Sequence, residues 1–146
     1  MARRVLHPSD FSSASRGALA KAIEMAKADR GQLMILHVIN PIMPVEGEGY
    51  VSPKMYEELA SSTRVWARKR LAALAARAKK AGVRVTVLLA EGAPHEQIIR
   101  AARSKRADLI VMGTHGRSGL AKLFLGSVAG RVVTAAPCPV LTVKGK

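Results

Sequence analysis

The sequence predicts one parallel, doubly wound α/β domain, and three observations carry that reading. Short apolar segments alternate with helical periodicity along the chain, with no visible linker or internal repeat. Apolar residues make up 49% and aromatic residues only 3%, so Ala, Val, Leu and Ile carry the packing, as helices laid on a parallel sheet require. The 146 residues are the size of one ordinary domain, expected over residues 1–146.

Each element follows in order. "RVLHPSD" opens as a short strand stopped by Pro8. "FSSASRGALAKAIEMAKADRG" has the period of a helix, with Ser12 or Ser13 as its cap, Leu19, Ile23 and Ala26 on one face, and Gly31 at its end. "QLMILHVIN" is apolar nearly throughout, as a strand covered on both faces is. "PIMPVEGEGYVSP" is rich in Pro and Gly and long for a connector, which suits a lid. From Lys54 to Lys80 runs the longest helix, with Met55, Leu59, Val65, Trp66, Leu71, Leu74 and Ala78 on one stripe and Gly82 as its stop. "VRVTVLLA" is the third strand. "EGAPHEQIIRAARSKRA" places Pro94 at the first helical position and Ile98, Ile99 and Ala102 inward. "DLIVMG" is the fourth strand, a helix starts near Ser127, and "PVLTVKG" closes as the fifth.

The commonest arrangement of five such strands is 3-2-1-4-5. Strands one and four are then neighbours whose connections leave toward opposite faces, so a crevice forms at their carboxyl ends. "HPSD" and "GTHG" stand at those two ends.

Gly113, Gly116, Gly126 and Ser127 form a G-x2-G-x9-G-S pattern. Gly113 and Gly116 would let the chain pass close beneath a ribose and phosphates. Gly126 and Ser127 would present amides and a hydroxyl at a helix N-terminus, where partial positive charge favours an anion. The same residues also serve as plain turn and capping positions. No Walker A loop occurs, and no G-x-G-x-x-G follows the first strand.

"GTHGRSGLAKLFLGSVAGRVV", followed by "APCPVLTVK", resembles the carboxyl half of the universal stress protein family. "VLHPSDFSSAS" resembles that family's first strand and loop, and "ILHVI" its second strand. The intact glycine pattern is similar to that of the ATP-binding branch. The resemblance implies a three-layer, Rossmann-like domain of the adenine nucleotide alpha hydrolase-like type, and a nucleotide-dependent role in the stress response. It implies that Pro8, Ser9 and Asp10 line the crevice, with Asp10 accepting hydrogen bonds from ribose hydroxyls. Val38 would meet adenine through its backbone, and Met112 and Gly113 would pack near ribose and base. Gly116, Gly126, Ser127 and Val128 would hold the phosphates, Arg117 would reach the terminal one, and Mg2+ or Mn2+ would bridge their oxygens. It also implies a homodimer with "CPVLTVK" strands paired, which agrees with an apolar edge strand that otherwise invites aggregation. Gly130-Arg131 departs from the family, whose members often carry an acidic residue in this early helix.

Nothing in the sequence supplies a water-activating base beside a γ-phosphate. No catalytic residue is therefore expected, and binding with slow or no turnover is, a slow ATPase being the rival reading. His7 and His37 lack a Cys or second carboxylate at ligand spacing, so they read as packed core histidines and no metal site is expected. His115 either donates to a phosphate or faces water, and His95 lies in a helix's first turn at the surface. Cys138, between two prolines and without a base, is not expected to be a nucleophile.

Charge is the remaining feature: 24 Lys and Arg against 10 Asp and Glu, a formal +14. Residues 64–84 hold basic side chains and no acidic ones, which makes either a polyanion-binding face, with nucleic acid as partner, or a solvated helix surface. Few aromatics are present for base stacking, which argues against a dedicated single-strand binder. The apolar runs "LMIL" and "LIVM" are too short to span a bilayer. "MARRVLHPSDF" lacks the apolar core of a secretory signal and Cys138 is the one cysteine, so a cytoplasmic location without membrane contact is expected.

Overall fold

A computed structural model describes residues 3–41, 52–115 and 125–145. Strands β1 (Arg4–Pro8), β2 (Gln32–Ile39), β3 (Arg84–Glu91), β4 (Leu109–Gly113) and β5 (Val140–Val143) alternate with helices α1 (Ser15–Ala28), α2 (Pro53–Lys80), α3 (Pro94–Ser104) and α4 (Ser127–Ala135). All paired strands are parallel, in the order β3-β2-β1-β4-β5 that the sequence predicts.

Alternation along the buried strands divides the core into two layers. Val5, Leu33, Ile35, Leu109 and Val111 face α1 and α2, where they pack on Leu19, Ala22, Ala26, Leu71 and Ala78. Their neighbours Leu6, Met34, Leu36, Ile110 and Met112 face α3 and α4, packing on Ile98, Ala102, Ala129 and Val132. Both faces of β1, β2 and β4 are covered, which is why these strands read as apolar runs rather than alternating ones.

Three local expectations are corrected. First, neither Ser12 nor Ser13 caps α1 with its side chain: the N-cap is Ala14, and the first-turn amides of Ser15 and Arg16 take the Ser12 and Ser13 carbonyls instead. Second, Gly31 does not end α1 by taking a left-handed conformation. Arg30 does so, at φ +50°, while Gly31 is demanded by space: a Cβ there would lie 2.0 Å from the Arg3 carbonyl oxygen.

The third correction concerns α2. Leu71 and Ala78 are buried and Leu74 packs against the core, as expected, but Met55 is 58% exposed, Leu59 49%, Val65 52% and Trp66 42%. Ala67 and Ala75 take the buried positions instead. The physical reason is length. Twenty-eight helical residues span about 42 Å, whereas the eight-residue strand β3 spans about 26 Å, so the N-terminal half of α2 outruns the sheet. Arg64 fastens the overhang, its Nε donating to Glu91 Oε1 at 2.6 Å.

Candidate functional site

The site begins where the β1–β4 ladder breaks. Its last paired residues are Leu6 and Ile110. Ser9 donates its amide to Leu36 of β2, so by alternation the backbone nitrogen of residue 8 points toward β4. That residue is Pro8, which has no N–H, and the Val111 carbonyl it would have met accepts instead from His7 Nδ1 at 2.8 Å. Beyond the break a cavity of about 310 Å³ opens at the carboxyl ends of the two strands, at the switch point of the sheet.

Nine of the expected site residues line it: Pro8, Ser9, Asp10, Val38, Met112, Gly113, Gly126, Ser127 and Val128. Gly116 and Arg117, expected beside the phosphates, lie outside the described residues. The two halves of the site are separated by about a hundred residues in the chain and meet only through the 3-2-1-4-5 order.

The loop after β1 is held by short polar contacts. Ser9 Oγ accepts the Phe11 amide at 3.1 Å, and Asp10 Oδ1 accepts the Ser12 amide at 2.9 Å. These bonds hold Phe11 at φ +65°, a left-handed conformation uncommon for a bulky residue. The Phe11 ring stacks on His37 at 4.1 Å between centroids, and Trp66 meets it edge-on at 5.4 Å. His37 Nδ1 in turn donates to the Ser9 carbonyl at 2.7 Å.

The opposite wall is the start of α4. Gly126 is its N-cap and supplies no side-chain cap, and the first helical bond runs from the Gly130 amide to the Gly126 carbonyl. The amides of Ser127, Val128 and Ala129 precede that bond, so they have no partner within the helix and lie at the cavity wall. The two glycines of the motif differ in what they serve. A Cβ at Gly113 would come no nearer than 3.6 Å to its neighbours, the Ala14 and His115 carbonyl oxygens, an ordinary contact. A Cβ at Gly126 would lie 2.8 Å from the Thr114 carbonyl oxygen, which already accepts the Gly126 amide at 2.7 Å. The close approach that requires this glycine therefore comes from the protein itself.

The sequence reading missed Ser15, Leu36, Pro94, Ile98, Thr114 and Ala129 as lining residues, and weighed His37 and His115 without assigning them to the wall. Thr114 is the most informative of these. It is buried, its amide donates to Val143 of β5 at 3.0 Å, and its carbonyl holds Gly126, so one residue ties β4, β5 and α4 together. Its place inside "GTHG" was the available signal. His115 Nδ1 lies 2.9 Å from Thr114 Oγ1, while its Nε2 is buried without a hydrogen-bond partner among the described residues.

Leu36, Val38, Ile98 and Met112 make an apolar wall, the amide-bearing end of α4 forms another, and Asp10 is the sole carboxylate among the described lining residues. This combination suits a flat apolar ring linked to an anionic tail. Among the described residues no three His, Cys, Asp or Glu side chains stand together as a metal cage. His7 is fully buried, and burial pushes its imidazole down to about 4, against the smaller opposing influences of the Val111 carbonyl and Asp10. Burial likewise raises the Cys138 thiol, with Asp108 adding to it, which makes it a poor nucleophile.

Gly130 stands inside α4, and a Cβ there would meet only Leu125 Cδ2 at 3.9 Å. Gly130→Ala is expected to stabilise the fold by about 1 kcal/mol through helix propensity. Thermal unfolding would then rise by about 3 °C, and an unchanged or lower midpoint would show that α4 needs the glycine.

A doubly wound α/β sheet with its cavity at the switch point defines a Rossmann-like domain. The universal stress protein family model matches residues 1–144, and the chain belongs to that family. The universal stress protein MJ0531 of Methanocaldococcus jannaschii is 36% identical over 144 residues, 97% of this chain and 82% of that one. The solved structure of MJ0577, a universal stress protein of the same organism, superposes with a TM-score of 0.86 at 29% identity, covering 100% of this chain and 98% of that one. A universal stress protein solved in complex with cAMP superposes with a TM-score of 0.72 at 26% identity, covering 99% and 98%. Among the described residues no helix is long and apolar enough to cross a membrane.

Proposed function

We propose that this chain binds ATP in the switch-point cavity and acts as a nucleotide-dependent regulator in the stress response. The observation that carries the reading is the uncapped N-terminus of α4, which opens onto a cavity whose other wall is apolar. The relative solved with cAMP supports an adenine nucleotide as the class of ligand. In this reading adenine lies against Val38, Met112 and Gly113, and Asp10, beside Pro8 and Ser9, accepts from the ribose. The amides from Ser127 to Ala129, with the Gly126 turn, receive the phosphates. By the glycine motif, Gly116 and Arg117, outside the described residues, would serve the same phosphate end, and Mg2+ or Mn2+ would be held chiefly by the phosphate oxygens, since this reading assigns Asp10 to the ribose.

Among the described lining residues Asp10 is the sole carboxylate, and it sits at the ribose end in this reading, so binding and release rather than turnover carry the signal. A homodimer through β5 fits the same scheme, because β5 is an edge strand, paired within the chain to β4. Calorimetric titration of nucleotide-free protein with Mg-ATP, at low and high salt, tests the proposal. Saturable binding near one nucleotide per chain, weaker for GTP and surviving salt, is the expected result. Absence of heat at every salt concentration would refute it.

A further inference from the structure

A second concavity lies on the opposite side of the β1–α1 loop, between α1 and α2, and we propose that it is a binding site for a compact oligophosphate. Its volume is about 470 Å³, and Arg16, Arg70 and Arg77 stand around it over an apolar floor that includes Phe11 and Leu74. Among the described residues none of these three guanidinium groups forms an ion pair with a carboxylate, whereas Arg64, two turns earlier on α2, is taken by Glu57 and Glu91. The positive charge that makes residues 64–84 unusual in the sequence is thus partly gathered at one concave place.

Independent observations point to an anion there. The Arg70 guanidinium carbon lies 5.8 Å from the Phe11 ring centroid and 5.6 Å from that of Trp66, so the planar group is steadied by two rings before any ligand arrives. Ser12 and Ser15 line the same concavity beside Arg16, at the start of α1. The first turn of α1 has no acidic residue and no side-chain cap, so its partial positive charge adds to that of the arginines.

The shape decides among anions. Arginine forks match the oxygens of a phosphate group two at a time, and three forks around one hollow suit several phosphate oxygens held close together. A nucleic-acid backbone would instead track a stripe of cations along an exposed surface. The site is separate from the switch-point cavity and does not depend on what that cavity binds. The two share only Ser9 and Ser15 as a common wall, where the hydroxyls lie 3.3 Å apart.

The test is a titration of the isotope-labelled full chain with inorganic tripolyphosphate, followed by amide resonances. Saturable shifts are expected in residues 11–19 and 68–78. Arg70→Ala combined with Arg77→Ala, both exposed and on a helix that tolerates Ala, should weaken binding by about tenfold or more. Lys79→Ala combined with Lys80→Ala, on the same helix but away from the hollow, should change affinity less than about twofold. Shifts confined to residues 112–115 and 126–129 would overturn the proposal. So would equal weakening by both double variants, or binding of duplex oligonucleotide with no response to tripolyphosphate.

Discussion

Gly126→Asp is expected to lower the affinity for Mg-ATP by about 100-fold or more while the chain still folds. Two effects act at one position. The new Cβ would lie 2.8 Å from the Thr114 carbonyl oxygen, so the start of α4 must shift by some tenths of an ångström. The new carboxylate would also cap the helix, taking amides proposed for the phosphates and setting a negative charge beside them. Losing charge-assisted bonds and adding repulsion amounts to roughly 3 kcal/mol, which is the hundredfold change. The fold survives because Asp is a favoured N-cap residue and the Gly126 backbone, at φ −59° and ψ 157°, is one that Asp adopts freely. Gly126→Ala separates the causes, since it adds the methyl without the charge and should cost about tenfold or less. Calorimetric affinities with circular dichroism as the folding control measure both. Normal ATP binding by a folded Gly126→Asp chain would remove α4 from the site.

The second large effect is on stability against pH, and it rests on His7. A carbonyl can only accept, so His7 Nδ1 carries the proton it gives to Val111, and in the neutral ring Nε2 is bare. Nε2 is buried and has no partner among the described residues, so protonating it places an unsolvated charge in the core. Above about pH 6.5 the ring is neutral in the folded and unfolded chain alike, and stability is at its full value. As pH falls from 6.5 to about 4, the unfolded chain takes up a proton that the folded chain refuses. Unfolding free energy is therefore expected to drop by roughly 3 kcal/mol across that window, with no further loss from this group below it. His7→Asn keeps a donor near the Val111 carbonyl but removes the titration. Its urea midpoint should be lower at pH 7 and should fall less between pH 6.5 and 4 than that of the unaltered chain. Carboxylates titrate in both proteins and largely cancel in the comparison. Equal slopes would mean that another group controls acid unfolding.

Particular residues show why part of this was legible in the sequence. The strand order followed from alternation of apolar runs and helical periods, because crossover handedness leaves few ways to cover both faces of a parallel sheet. "HPSD" and "GTHG" were placed at one crevice for the same reason, and the cavity lies there. The α2 stripe misled because periodicity defines a face but not which turns rest on the sheet. Met55 and Leu59 have the spacing of core residues and lie beyond its end. Ser12 looked like a cap by type, yet the first-turn amide of Ser15 takes its carbonyl, and the residue lines a hollow that exists only once α2 packs beside α1.

Beyond the strand order, what the sequence determined by itself was therefore local: which segments are strands or helices, and which glycines and prolines sit at the turns. Those outcomes depend on backbone conformation and periodicity within a dozen residues. Tertiary structure alone decided which distant groups meet. It set the Thr114 carbonyl against Gly126, the Val111 carbonyl against His7, and Arg16, Arg70 and Arg77 around one hollow. Such meetings depend on helix length against strand length and on the packing of one layer upon another, and neither is written in any single stretch of the chain.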